Sequence, residues 1–239
     1  MLSTKTTRAV MFAATAATAL IASQAMADIL VMRASGPAAQ RYRPGTLLPD
    51  VRPIRLGSSD VLELLSDTGT WTWTGPGDFP AATRTVRTSA GIAAPDLRRT
   101  RVGAVRSVGG ATMRPNVWMV DLAEPGAVCV LSDHAPLLWR TTSEAAATTT
   151  ITGPGGNVAA VEWSAGQAAA PWPASIPVVD GAGYRITGAG ASIDIVVKQV
   201  SSPPSSLPAA GMALIERGCQ SQIDVLTSQV ERLDASAGS

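Results

Sequence analysis

The chain has 239 residues, 46% of them apolar, with 19 Lys and Arg against 18 Asp and Glu, one His and two Cys. That length holds one large or two small domains with a sizeable core, and a net charge near zero excludes the whole-chain electrostatics of a nucleic-acid or polyanion binder. A single His and the absence of any C-x-x-C spacing exclude the common zinc and haem patterns, so no metal or cofactor is implied.

At the amino terminus Lys5 and Arg8 precede and flank an apolar run from Ala9 to Ala22, and Ala25-Met26-Ala27 stands before Asp28. Basic, apolar and small-residue parts in that order are the layout of a cleavable secretory signal, so we expect residues 1–27 to be removed and the mature chain to be periplasmic. The run is shorter than the roughly 20 residues a spanning helix needs. No Cys follows it and no paired Arg precedes it, which argues against a lipoprotein or a twin-arginine substrate. Without Lys5 and Arg8, 17 basic residues face 18 acidic ones, and later apolar stretches are broken by Gly, Pro or charge. We therefore expect no transmembrane segment in the mature chain.

From Asp28 onward, short runs of β-branched and aromatic residues alternate with Gly, Pro, Asn and Asp, the pattern of a β protein. Strands are expected at 29–33, 54–56, 61–65 and 70–74. In the last of these Trp71 and Trp73 alternate with Thr70, Thr72 and Thr74, so both indoles leave one face. Buried, they are core; exposed, they form a stacking platform for sugar rings. Residues 81–115 lack sustained periodicity and carry Arg84, Arg87, Arg98, Arg99, Arg101, Arg106 and Arg114 against Asp96 alone. This stretch reads as an Arg-rich linker or insertion, with Arg98, Arg99 and Arg101 as the candidate anion-binding residues if it is more than a solvated connector.

A second set of strands is expected at 117–122, 127–131, 137–140, 148–152, 158–163, 184–187 and 193–200, ending at Ser201-Ser-Pro-Pro-Ser-Ser206. Then Met212, Ile215, Cys219, Ile223, Leu226, Val230 and Leu233 recur at helical steps, an amphipathic stripe that Gly218 either divides or kinks. The fold class is thus mainly β: one or two small β-sandwich-like domains, over 28–80 and 116–200, with a helix or helix pair over 201–239. That helix is expected to cover the second β region. Gly75-Pro76-Gly77 and Gly153-Pro154-Gly155 form a faint internal echo, each suited to a type II turn.

Export would put Cys129 and Cys219 where disulfides persist. We expect them to pair, closing a loop of about 90 residues worth roughly 4 kcal/mol of chain entropy; two separate buried thiols are the alternative. Catalytic patterns are thin. His134, in Ser132-Asp133-His134, is the sole imidazole, and no G-x-S-x-G elbow presents a nucleophile. Acidic residues are scattered singly, and neither Gly153-Pro-Gly-Gly-Asn157 nor Gly181-Ala-Gly183 leads into a helix as a phosphate cradle does.

The segment from Pro53-Ile54-Arg55-Leu56-Gly57 through Asp60-Val61-Leu62-Glu63-Leu64-Leu65, with Asp67-Thr68-Gly69-Thr70 and the Gly75-Pro76-Gly77 turn, resembles the periplasmic β domain of FecR-type regulators. The likeness covers about 50 residues. The stretch from Leu137-Leu138-Trp139 through Pro177 to Tyr184-Arg185-Ile186 is similar to a later β domain of such envelope proteins. The resemblance implies an extracytoplasmic module alone, since the family's cytoplasmic segment and membrane helix have no counterpart here. Together these readings lead to a non-enzymatic interaction or sensory accessory module that docks on an envelope protein or cell-wall component. A polysaccharide- or peptidoglycan-binding module using Trp71 and Trp73 is the alternative. Amino-terminal sequencing of the exported protein should begin at Asp28; a Met1 start in the membrane fraction would refute the signal.

Overall fold

The computed structural model describes residues 29–48, 53–67, 69–79, 116–201 and 203–237, with side chains of the last helix described to residue 232. The signal-like residues 1–27 and the Arg-rich stretch, including Arg98, Arg99 and Arg101, lie outside the described residues.

The protein is mainly β, with two helices near its carboxyl end. In the first part, β1 (Ile29–Ser35), β2 (Leu47–Leu48), β4 (Val61–Ser66) and β5 (Gly69–Thr74) form an antiparallel sheet in the order β2-β1-β4-β5. Strands β3 (Ile54–Leu56) and β6 (Gly77–Phe79) pair with each other and extend the β4–β5 hairpin beyond a break at Gly57–Asp60 and Gly75-Pro76. At that break a Cβ on Gly75 would lie 1.9 Å from the Gly57 carbonyl oxygen, so the backbones meet only because residue 75 has no side chain. The buried Asp60 carboxylate holds the corner by accepting the N–H groups of Ala38 (2.8 Å) and Gly57 (2.6 Å).

The two Gly-Pro-Gly turns differ. Gly155 has φ 77° and ψ 6°, and the Gly156 N–H donates to the Gly153 carbonyl at 3.2 Å, which is the type II turn expected there. The first does not form one: Gly75-Pro76 is cis, and Gly77 enters β6 without a positive φ. The sequence echo joins two different backbone structures.

In the second part, β11 (Val158–Trp163), β10 (Ala147–Thr152), β13 (Gly183–Gly188), β14 (Ala191–Val200) and β8 (Gly126–Leu131) form one sheet in that order. A smaller sheet of β12 (Ala169–Pro171), β9 (Leu137–Trp139) and β7 (Val120–Asp121) packs its apolar face on it. Leu138, Ala170, Trp172, Ile151, Ile186 and Ile195 meet in this sandwich core. Residues 117–119, expected as strand, form a turn, and the strand there is only Val120–Asp121. Arg140 is buried without a carboxylate among the described residues: its guanidinium donates to the carbonyls of Gln167, Ala145 and Ser164 and lies 5.0 Å from the Trp163 ring centre. These partners replace the hydration a buried cation loses.

Helices α1 (Leu207–Arg217) and α2 (Gln220–Ala237) are divided at Gly218, whose φ of 73° ends α1 in the left-handed conformation glycine favours. Ser206 caps α1 by accepting the Ala209 N–H, and Asp67, from the β4–β5 turn, accepts the Leu207 N–H at 2.9 Å. At the other end Arg217 meets Asp180, whose carboxyl is held below its ordinary range chiefly by the Gln199 N–H.

The helix pair covers more than the second β region. Its core joins Leu30, Met32 and Leu65 of the first sheet to Val117, Trp118, Cys129 and Val200 of the second part, through Leu207, Ala210, Leu214, Ile223, Leu226 and Val230. Gly211 allows the approach, since a Cβ there would lie 2.7 Å from Leu30 Cδ2 and 3.0 Å from Met32 Sδ. Cys129 and Cys219 are bonded, with Cα atoms 5.8 Å apart, so the start of α2 is fastened to β8. Next to the bond, Gln222 Oε1 accepts the Cys129 N–H (2.6 Å), while Nε2 donates to the carbonyls of Cys129 (2.7 Å) and Val117 (2.5 Å). One buried side chain thereby satisfies both backbone groups that Cys129 turns away from β14.

Gln222→Leu keeps the volume but strands those backbone groups, at about 1–3 kcal/mol for each unsatisfied group. It should lower the melting temperature by several degrees, at about 2–4 °C per kcal/mol for a chain of this size. Gln220→Leu, on the exposed side of the same turn, should change it by no more than about 1–2 °C. Thermal melts followed by circular dichroism compare the two.

Candidate functional site

The disulfide that fastens α2 to β8 also shapes a groove. Its one wall is the β7–β8 connection, running from Asp121 through Glu124-Pro125 to Gly126; the other is the exposed side of the first turns of α2, with Ser221, Asp224 and Ser228. The groove has a volume of about 760 Å³, and Asp121, Glu124 and Asp224 bring three carboxylates to it with no Lys or Arg in its lining. A side cavity of about 20 Å³, bordered by Asn116, Met119, Gln222 and the same Asp121 and Glu124, continues it toward the core. That is room for about one water molecule.

The three carboxylates differ. Asp224 pairs with Arg33, which also reaches Glu63 at 3.2 Å, while Glu63 accepts the Thr227 hydroxyl at 3.3 Å. Asp224 is thus part of a polar bridge between β1, β4 and α2. Asp121 and Glu124 have no ion-pair partner among the described residues. Asp121 is half-buried, and burial pushes its carboxyl above the ordinary aspartate value, opposed by the Ala123 N–H that donates to Oδ1 at 2.9 Å. A carboxylate kept at such a position suits a cationic ligand group, which would supply the countercharge that burial makes desirable.

The residues singled out from sequence lie elsewhere. Trp71 and Trp73 share one face of the edge strand β5, half-buried against the core of Ile54, Leu56, Leu62 and Leu64. One face of Trp73 is taken by Phe79, with ring centres 5.2 Å apart and planes 13° from parallel. They are therefore neither fully core nor a bare platform. His134 is exposed on the β8–β9 loop with Nδ1 2.8 Å from the Asp133 carboxylate, as a loop residue should be. Among the described residues there is no group of three His, Cys, Asp or Glu side chains that could hold a metal ion, and no helix long and apolar enough to cross a membrane.

The sequence reading took the acidic residues as scattered singly; the fold gathers three of them. The only linear signal was the pair Asp121 and Glu124 beside Pro125-Gly126, with Asp224 about a hundred residues away. Comparison of the chain with protein-family models, curated proteins and solved structures returns no match.

The raised Asp121 value has a consequence for stability. A carboxyl whose folded-state pKa lies above its unfolded value of 3.8 binds protons more readily when folded. Its contribution is therefore favourable in acid and is lost as pH rises through the folded value, leaving a penalty at neutral pH. Asp121→Asn retains an oxygen for the Ala123 N–H and removes the charge. The variant should melt higher than the parent at pH 7, and the difference should vanish below about pH 3.8; an unchanged or lower melting point at pH 7 contradicts the assignment.

Proposed function

We propose that the chain is an exported, non-catalytic interaction or sensory accessory module of the bacterial envelope, and that it receives a basic segment of an envelope protein in the Asp121–Glu124–Asp224 groove. The groove carries this reading: it joins a large open volume to carboxylates of which two lack a cation of their own among the described residues. Export is supported by the signal-like residues 1–27 and by the Cys129–Cys219 bond, which accords with an oxidising compartment. The likeness of residues 53–77 to the periplasmic domain of FecR-type proteins points to the same kind of role, without direct control of a sigma factor. A polysaccharide-binding role through Trp71 and Trp73 has less support, because Phe79 already occupies one face of Trp73.

Charge complementarity of this kind acts on association rate and specificity more than on affinity alone. The test is therefore comparative. Tagged mature protein, the groove variant Asp121→Asn/Glu124→Gln, and the distant-surface variant Arg185→Gln/Asp194→Asn should be cross-linked in envelope extract and the captured proteins compared by mass spectrometry. A protein held by the parent and by the distant variant, lost from the groove variant and weakened by salt, supports the proposal. Identical capture by all three, or no salt dependence, overturns it.

A further inference from the structure

The five-stranded sheet has two edges, and they are treated differently. On β8, Gln222 of α2 occupies the backbone groups beside the disulfide. Among the described residues nothing equivalent is found on β11. The pairing of β11 with β10 fixes which groups face out: the Asn157 carbonyl accepts the Gly153 N–H at 2.8 Å, so residues 153 and 157 form a hydrogen-bonded pair, and such pairs alternate along the ladder. In the observed register Ala159, Val161 and Trp163 therefore bond to β10, while the backbone N–H and carbonyl groups of Val158, Ala160 and Glu162 point away from it. Among the described residues these outward groups have no hydrogen-bond partner.

Edge strands are usually blunted by Pro, Lys, a bulge or a covering element. Strand β11 has no Pro or Lys, and its register with β10 runs unbroken from Trp163 to Val158. Its one charged residue, Glu162, is held back on the sheet by the Thr148 hydroxyl at 2.8 Å. Val158, at the start of the strand, is 62% exposed.

We infer that β11 pairs antiparallel with β11 of a second copy, about a twofold axis through Ala160. The strand is complementary to itself in one register. Opposed residues in a continuous sheet must lie on the same face, so Val158, Ala160 and Glu162 can only meet one another. Centring on Ala160 is the arrangement that uses all three: Ala160 faces the partner subunit's Ala160, and Val158 faces the partner subunit's Glu162. Each of these pairs exchanges both of its outward backbone bonds. The two Glu162 carboxylates fall at opposite ends of the contact, so no like charges face each other. A pairing that unites the same patch on both copies is isologous and closes at two chains.

Sedimentation velocity of the full mature chain across the micromolar range tests this, with two exposed substitutions that leave each chain's interior unchanged. Ala160→Lys sets two ammonium groups against each other on the axis and should weaken the dimer about tenfold or more. Val158→Lys sets a cation opposite the partner subunit's Glu162 and should tighten it several-fold. A concentration-dependent dimer that responds in both directions supports the inference. A parent chain that stays monomeric overturns it, as does a dimer indifferent to both substitutions, which would place the contact on another surface.

Discussion

Strands buried on both faces, β1 and β8 foremost among them, are what the rest of the structure depends on. Strand β1 sends Ile29 and Val31 into the core of the first part and Leu30 and Met32 into the helix core. Strand β8 sends Val128 and Val130 into the sandwich and Cys129 into the helix core. Neither sheet can leave its second apolar face to water, and the helix pair α1–α2 supplies one common cover. Burying a side chain such as Leu214, Ile223 or Leu226 is worth about 1.5–3 kcal/mol, so the shared core is a large share of the net stability of any domain this size.

Polar groups reinforce the union because each is completed by a different part of the chain. The carboxylate of Asp67, in a turn of the first sheet, serves the amino end of α1. Arg33 of β1 bridges Glu63 and Asp224, and Gln222 of α2 takes up both outward backbone groups of Cys129 in β8. Separating the parts would leave each of these groups short of a partner, at a cost the apolar contacts alone do not carry. The disulfide adds to this by limiting how far β8 and α2 part in the unfolded chain. The groove follows from the same junction, since its two walls are the elements that the bond holds together.

Much of the fold was legible in the sequence. Alternation in Val61–Leu65, Thr148–Thr152 and Val158–Trp163 placed strands within a residue of where they lie, because a half-buried strand must repeat every second position. Strands β2, β6 and β12 were missed: Leu47-Leu48, Gly77-Asp78-Phe79 and Ala169-Ala170-Pro171 carry no β-branched residue to mark them, as Ile54 marks the equally short β3. The helical stripe after Leu207 was plain, but its second partner was not. A stripe says that a face is covered and not by what, so Leu30 and Met32 could not be assigned to it. The candidate groove was hidden for a related reason. Asp121 and Asp224 meet only through the packing of α2 on β8, and the desolvation that sets Asp121 apart exists only once that packing is made.

If the helix core unites the two β parts, they must unfold together. Calorimetry of the chain from Asp28 onward near neutral pH measures this directly. A single transition whose calorimetric and van't Hoff enthalpies agree is the predicted result. Two resolved transitions, or a calorimetric enthalpy well above the van't Hoff value, would mean that the sheets melt independently and that α1–α2 belongs to only one of them.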